Sequence, residues 1–167
     1  MKQRRLDQLF TLEAARSGGA KAYDPGPVPF VTSTVMNNGV DRYVEPLEGD
    51  RVFEGPAIAI SGLGFASLQL GRFLPKGNGG DSLTILCPRD AMPVSRLLGY
   101  VAAFNQLHGW RFSFGRKAKI DRLCDLALPE RLPSIRAMLD AEAKRLEVLA
   151  SGLEQALGAS VDGAEGD

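Results

Sequence analysis

Glycine and proline residues recur so often between residues 17 and 93 that a long helix cannot form there. The chain has 19 glycines and 10 prolines, and clusters of them at 23–27 and 76–80 separate short segments rich in β-forming residues. Proline fixes φ and glycine adopts conformations closed to other residues, so such clusters are typical of turns. The pattern predicts strands at 28–34, 42–45, 57–61, 65–70 and 82–87.

The pattern becomes helical after Pro93. Helical spacing places apolar side chains along residues 94–107, at Leu97, Leu98, Val101 and Phe104, which predicts a helix there. A second short helix is compatible with 117–124, and the amphipathic opening segment 4–16 fits either a helix or a strand. The sequence thus predicts an α+β domain over residues 1–130, with short helices and a mixed or antiparallel β-sheet.

Residues 134–157 have the composition of one long helix. Apart from Glu142, its apolar side chains follow the alternating four-and-three spacing of a coiled-coil seam: Ile135, Leu139, Leu146, Leu149, Leu153 and Leu157. A seam of about three heptads is marginal by itself. We therefore predict a spacer helix over 131–158 that pairs with another helix, the alternative being that it folds back on its own domain. Residues 159–167 are predicted to form a flexible tail.

Charge and cysteine usage exclude several classes of protein. Twenty basic residues balance twenty acidic ones, so the chain is not a uniformly basic nucleic-acid coat, and any nucleic-acid surface must be local. Cys87 and Cys124 lack metal-ligand spacing and are predicted to be buried, reduced thiols, although a disulfide is the alternative. No apolar run approaches the ~20 residues of a membrane helix, and the N-terminus is charged. We expect a cytoplasmic protein without a metal site.

The sequence shows no catalytic arrangement. His108 ends the predicted helix without a nucleophile pattern around it, so we interpret it as a capping or packing residue. Gly62 and Gly64 follow a strand as in a dinucleotide-binding loop, but the third small position is Ser67 and hairpin-like sequence follows. Pyrophosphate would need a helix N-terminus there. We therefore interpret the two glycines as allowing close approach of another strand or of a DNA backbone.

A first polar stretch points to nucleic acid. It carries hydroxyl and amide side chains at Thr32, Ser33, Thr34, Asn37 and Asn38. An ordinary strand with a type I′ turn would explain Asn38 and Gly39, but it leaves the polar groups before them unexplained. Such groups can hydrogen-bond base edges or phosphates.

A second stretch combines rings with positive charge. Phe112 and Phe114 alternate with residues of a cationic segment that contains Arg111, Arg116, Lys117 and Lys119. A loop of this kind can anchor itself by its aromatic side chains and present charge to phosphates; the alternative is an ordinary solvated face. We interpret the two stretches as two edges of one nucleic-acid reading surface.

In this order, the segments resemble the DNA-specificity subunit of type I restriction–modification systems, including the related target-recognition domains of fused type II enzymes. The resemblance covers residues 4–157. It is carried by Arg5-Leu6-Asp7-Gln8-Leu9-Phe10, by Val31-Thr32-x-Thr34 with Asn37-Asn38-Gly39-Val40, by Ile58-Ala59-Ile60-Ser61-Gly62-x-Gly64 with Gln69, by Phe112-Ser113-Phe114-Gly115-Arg116-Lys117, and by Ile120 with Leu126-x-Leu128-Pro129.

The resemblance implies a target-recognition domain that reads one half of a bipartite double-stranded DNA site, followed by a helical spacer. The family's usual subunit has two such domains and two antiparallel spacers, so this chain resembles a half-subunit that forms a homodimer through its C-terminal helix. The DNA-binding positions expected from the motifs are Thr32, Ser33, Thr34, Asn37, Asn38, Gly62, Gly64, Gln69, Arg111, Ser113, Arg116, Lys117 and Lys119.

The expected partners follow from the same resemblance. The chain would be the non-catalytic part of an adenine methyltransferase complex in phage defence, with a restriction subunit as a further partner. No cofactor is expected on this chain, because S-adenosylmethionine would belong to the methyltransferase chain. Two positions depart from the family pattern: Ser33 replaces a frequent arginine, and Leu68 replaces a frequent aromatic residue. An adaptor or decoy with weak or no DNA reading is therefore the alternative function.

Overall fold

The computed structural model describes residues 2–79, 81–132, 137, 140 and 143–152. The chain divides into two units, Met1–Leu132 and Pro133–Asp167. The described part of the first unit contains, in chain order, β1 (Gln3–Arg5), α1 (Leu6–Leu9), β2 (Phe10–Ala14), β3 (Pro25–Val31), β4 (Val40–Val44), β5 (Ala57–Ile60), β6 (Ala66–Gln69), β7 (Leu74–Pro75), β8 (Thr84–Pro88), α2 (Val94–Leu107), α3 (Ile120–Leu123) and β9 (Ala127–Pro129).

The strands form three small sheets. A four-stranded antiparallel sheet has the order β2-β8-β5-β6, and a three-stranded sheet has the order β4-β3-β7. In the second sheet β3 pairs with β4 antiparallel and with β7 parallel. Strands β1 and β9 form an antiparallel pair that brings the ends of this unit together. The predicted α+β class, with a mixed or antiparallel sheet and short helices, is confirmed.

Helix α2 supplies one side of the main hydrophobic core. Its bounds match the predicted helix, and it buries Leu97, Tyr100 and Phe104 in the cluster that also contains residues of the four-stranded sheet. The ring of Tyr100 packs edge-on against Phe10, with centroids 5.7 Å apart. Leu98, expected on the same face, is 44% exposed, because the stripe with helical spacing runs through Tyr100 instead.

Strand β3 differs from its prediction at both ends. It begins at Pro25, inside the predicted turn, where a register shift in its pairing with β4 accommodates residues 26–27. It ends at Val31, so the polar residues 32–34 lie in a loop. The reason is a backbone hydrogen bond from Thr32 to Gly39 of 2.8 Å, which closes an eight-residue connection to β4 in place of a two-residue hairpin turn. The opening segment 4–16 contains both kinds of element, β1-α1-β2.

In the second unit, residues 143–152 are helical. On this segment the side chains of Leu146 and Leu149 are 55% and 51% exposed. The other predicted seam positions, Ile135, Leu139, Leu153 and Leu157, lie outside the described residues, as does the predicted tail 159–167.

Two further findings concern expectations from composition. Cys87 and Cys124 are free thiols, as predicted, but both are only partly buried. Within the residues that the structure describes, no helix is long and apolar enough to cross a membrane, and no group of three or more His, Cys, Asp or Glu side chains is placed to hold a metal ion.

Candidate nucleic-acid interface

Strand β6 forms an edge of the four-stranded sheet, and side-chain amides occupy its outer backbone groups. Asn105 of α2 accepts a hydrogen bond from the backbone N–H of Ala66 at 2.7 Å and donates to the carbonyl of the same residue at 2.9 Å. Two residues further along, Asn38 donates to the carbonyl of Leu68 at 2.7 Å. An open edge would be a template for pairing with another chain. Here the amides close it from outside the sheet.

Both the side chain and the backbone of Asn38 fix the first polar stretch to β6. Besides the bond from the Asn38 side chain, its backbone carbonyl accepts a hydrogen bond of 3.0 Å from Gln69, which also donates to Ser67. Residues 37, 38 and 39 have φ angles of 48°, 52° and 85°. Asparagine and glycine are the residues that adopt this left-handed conformation most readily. The Asn-Asn-Gly sequence thus makes a tight left-handed turn.

The outer part of this loop, residues 32–37, presents polar groups beside apolar ones. Thr34 accepts a hydrogen bond from the backbone of Met36, and the amide of Asn37 donates to the carbonyl of Val40 at 3.3 Å. In the described part of the chain the Asn37 side-chain oxygen has no such bond, so it remains an acceptor on an exposed residue. Val35 and Met36 are 64% and 72% exposed at the tip.

Behind the same loop lies an open cleft of about 500 Å³, lined by Gly19, Ala20, Thr32, Ser33, Thr34, Asp41, Lys76, Asn78 and Gly79. The Ser33 hydroxyl donates to Asp81 at 2.9 Å, and the Lys76 ammonium contacts both oxygens of that carboxylate at 2.9 Å. Burial raises the pKa of Asp81, but the bonds from Lys76 and Ser33 outweigh it and hold the pKa below its ordinary value. The network fixes the base of the loop.

This network predicts a pH-dependent contribution to stability. A carboxyl group whose pKa is lowered by folding stabilises the protein above its unfolded pKa, near 3.8, and loses that contribution as pH falls through the folded value. Asp81→Asn is expected to lower the free energy of unfolding by about 1 kcal/mol at neutral pH. The difference from wild type should shrink in urea titrations as pH falls below about 3.8 and vanish once Asp81 is protonated in the folded protein. Asp90→Asn, at an exposed carboxylate, is the control, and an equal loss in both variants would contradict the assignment.

The second stretch is anchored to the segment that leads into β6. Gly64 has a φ of +86°, and a Cβ atom placed on it would lie 2.6 Å from the carbonyl oxygen of Gly109 and 2.8 Å from the ring of Phe112. The backbone N–H of Ala118 donates to the carbonyl of Gly62 at 2.9 Å. The close approach expected at Gly64 is therefore an approach of Gly109 and Phe112 of the same chain, and Gly62 contacts the same loop through a backbone hydrogen bond.

Of the two phenylalanines expected to anchor this loop, only one does so. Phe112 is buried, with its ring stacked on that of Phe104 at a centroid distance of 6.4 Å. Phe114 is 85% exposed. It lies in a two-residue turn closed by reciprocal backbone hydrogen bonds between Ser113 and Arg116, of 3.0 and 3.1 Å. Residues two apart share a face of an extended segment, so it is the turn at Phe114 and Gly115 that directs the second ring outward.

Among the described residues, the cations of this loop have no carboxylate partner. In the described part of the chain, no ion pair within 4.0 Å involves Arg111, Arg116, Lys117 or Lys119. Two of them lie over aromatic rings instead: Arg111 is 5.5 Å from the centroid of Trp110, and Lys117 is 4.2 Å from that of Phe114. The neutral chain therefore carries a local basic patch, as a phosphate-binding surface requires.

The predicted site residues divide by exposure. Exposed or half-buried positions on the two loops, available to a ligand, are Thr32, Ser33, Thr34, Asn37, Asn38, Arg111, Ser113, Arg116, Lys117 and Lys119. Gly62, Gly64 and Gln69 are buried. They support the loops from beneath. Gln69 bonds the turn at Asn38, and residues 109–118 contact the glycines.

Sequence reasoning missed three residues that shape this surface. Asn105 closes the edge of β6, Asp81 fixes Ser33, and Trp110 is 76% exposed beside Arg111. Only Trp110 had a local signal, because it adjoins the cationic stretch. The interpretation of His108 as a packing residue is confirmed: it is buried, and its ring Nε2 bonds the carbonyl of Ala127 at 2.8 Å.

Solved structures show the same fold. The HsdS subunit from Thermoanaerobacter tengcongensis superposes with a TM-score of 0.57 at 15% identity, over 93% of this chain and 39% of that one. The type I restriction–modification S subunit from M. genitalium gives 0.58 at 19% identity, over 92% and 41%. The fold is that of a type I S subunit.

The S-subunit fold is also found in a structure that describes the assembly and conformational transition of the type I restriction–modification system, with a TM-score of 0.57 at 17% identity, over 93% of this chain and 40% of that one. The present chain thus spans about two fifths of the length of these solved proteins. The sequence matches no protein-family model, and no curated protein is significantly similar to it. The resemblance inferred from the motifs is confirmed at the level of the fold.

Proposed function

We propose that the chain is a DNA-recognition half-subunit, which directs an adenine methyltransferase complex to one half of a bipartite double-stranded site. The observation that carries the proposal is the common anchoring of the two loops. Asn38 of the first loop bonds the carbonyl of Leu68 on β6, and Ala118 of the second loop bonds the carbonyl of Gly62, in the segment that leads into β6. One strand and the segment before it therefore support a loop of polar groups and a loop whose cations have no carboxylate partner among the described residues.

Within this proposal the two loops have different tasks. Arg111, Arg116, Lys117 and Lys119 neutralise phosphates and set the orientation of the duplex, because cations without carboxylate partners lose no ion pair on binding. Hydroxyl and amide groups of the first loop read base edges, with Asn37 as the side chain best placed to alter specificity. Gln69, Gly62 and Gly64 act from beneath by holding the loops in position.

The half-subunit part of the proposal rests on the C-terminal helix. Leu146 and Leu149 are both about half exposed on the segment 143–152 and belong to the predicted seam. Pairing of two copies through residues 134–157 would restore two recognition domains and two spacers, and identical readers related by a twofold axis would recognise a split palindrome. The methyltransferase chain, which would supply S-adenosylmethionine, would complete the complex, with a restriction subunit as a further partner.

The mass of the protein in solution tests this pairing. We expect the wild-type chain to be a dimer and Leu146→Glu/Leu149→Glu to be a monomer by light scattering, because two charges at an apolar seam are not tolerated. Val148→Glu is the matched control, since Val148 is 73% exposed and lies off the seam; it should remain a dimer. A wild-type monomer would refute self-pairing and favour a helix that packs on its own domain or on another chain.

Binding to duplex DNA tests recognition itself. The purified wild-type chain should enrich a split sequence from a pool of random duplexes, and its affinity for that sequence should fall steeply with salt because phosphate contacts release counterions.

The rival function is a protein-interaction adaptor or decoy. It is favoured by the balanced charge and by the exposed apolar tips of both loops. If the chain enriches no sequence, and if its binding to duplex DNA does not weaken with salt, the adaptor is supported.

A further inference from the structure

We propose that Phe114 is a wedge that inserts between adjacent base pairs of the recognised duplex and makes the protein select for a deformable base step; this inference rests on the proposed function. Of the large hydrophobic side chains in the described part of the chain, Phe114 is the most exposed, at 85%. A ring so displayed has no role in the core. The following observations assign its partner.

The ring is held outward by its own loop. Ser113 and Arg116 exchange two backbone hydrogen bonds, which leave only Phe114 and Gly115 at the apex. The preceding Phe112 is buried and stacked on Phe104, and Ala118 is fixed to the carbonyl of Gly62. Because the loop is anchored before and after the turn, the ring cannot fold onto the body of the protein without breaking these contacts.

The charge around the ring identifies the chemistry of the partner. The ammonium of Lys117 lies 4.2 Å from the Phe114 centroid, and Arg111 and Arg116 belong to the same loop, with no ion pair recorded for any of the three in the described residues. A partner must therefore offer a flat apolar slot bordered by negative charge. Stacked base pairs between two phosphate backbones have that form, and phenylalanine is among the side chains used as wedges in DNA.

Insertion has a consequence for sequence preference. A wedge unstacks one base step and bends the duplex, and pyrimidine–purine steps such as TA and CA/TG unstack most readily. The protein should therefore prefer such a step at the position of the ring, without a hydrogen bond to either base pair. This preference would be additional to readout by the polar loop 32–37.

The experiment uses the full-length chain and the duplex that it enriches, with 2-aminopurine replacing adenine at one position at a time. Wild type is expected to raise the fluorescence severalfold at one step in each half-site, which marks unstacking, and to bend an end-labelled duplex. Phe114→Ala should abolish both signals and weaken binding about 10-fold, whereas Phe114→Leu should retain most of them. Leu47→Ala, which removes a 51% exposed side chain from another loop, should change neither.

The outcomes separate the inference from the proposed function. Tight binding by wild type without a fluorescence change at any position would overturn the wedge and leave DNA recognition standing. Weaker binding of Phe114→Ala without an unstacking signal in wild type would also overturn it, since the ring would then contact the duplex surface. If wild type binds no duplex, the proposed function and the wedge both fail. Equal melting temperatures of the variants would show that their fold is intact.

Discussion

Gly64→Ala is expected to destabilise the first unit by about 3–4 kcal/mol, because two costs act at one position. The added Cβ atom would lie 2.6 Å from a backbone oxygen and 2.8 Å from the buried ring of Phe112, neither of which can move freely. In addition, alanine would have to adopt a φ of +86°. Thermal unfolding monitored by circular dichroism should show a melting temperature lower by roughly 10 °C.

Gly71→Ala is the matched control for this prediction. A Cβ atom on Gly71 would meet nothing within 4 Å, so its melting temperature should stay within about 2 °C of wild type. Equal effects at the two positions would contradict the conclusion that Gly64 leaves the space in which residues 109–118 pack. A drop confined to Gly64→Ala would show that the Gly-x-Gly pattern serves packing of this loop.

Arg116→Ala/Lys117→Ala is expected to weaken binding to every duplex by about 30-fold at 0.15 M salt. If each cation neutralises one phosphate, the slope of log affinity against log salt should become shallower by about 2 for each bound chain, and so by about 4 for the proposed homodimer. Both side chains lack a carboxylate partner among the described residues, so their removal should not alter the fold. The measurement is a fluorescence-anisotropy titration of one duplex at four salt concentrations.

Two comparison variants test whether the change in salt slope is specific to Arg116 and Lys117. Lys2→Ala/Arg72→Ala removes the same net charge from residues that pair with Glu130 and Glu54, and it should leave the salt slope unchanged. Asn37→Ala should preserve the slope and change which sequence is enriched, because it removes an exposed amide and no charge. An unchanged slope in Arg116→Ala/Lys117→Ala would show that these cations do not contact phosphates.

The elements that sequence predicted well are those specified by local pattern. Helix α2 has both a clear start after Pro93 and helical spacing, and its bounds were predicted correctly. Strands β5 and β6 were found because glycine and proline clusters bound them. The end of β3 was wrong because Thr32, Ser33 and Thr34 are compatible with a strand, and only the bond between Thr32 and Gly39 ends it.

The site was harder to predict where distant contacts decide a role. Gln69 has the chemistry of a base-reading residue, but strand pairing and the turn at Asn38 bury it. Asn105 has no local signal, because its partner Ala66 lies 39 residues away. The inward direction of Phe112 depends on the position of Phe104, and the outward direction of Phe114 depends on the turn closed by Ser113 and Arg116. Composition indicated the two loops, and burial then divided the predicted positions into exposed and supporting residues.

Under the proposed function, the closed edge of β6 has a consequence for how new specificities could arise. Asn38 and Asn105 clamp the strand through backbone groups, which every residue type possesses. Because neither clamp requires a particular side chain at residues 32–37 or 113–117, these tips can be exchanged while the frame beneath them stays in place. The frame and the loop tips are thus structurally independent. If the proposed function holds, grafting both tips from another such domain should transfer that domain's target without redesign of the core.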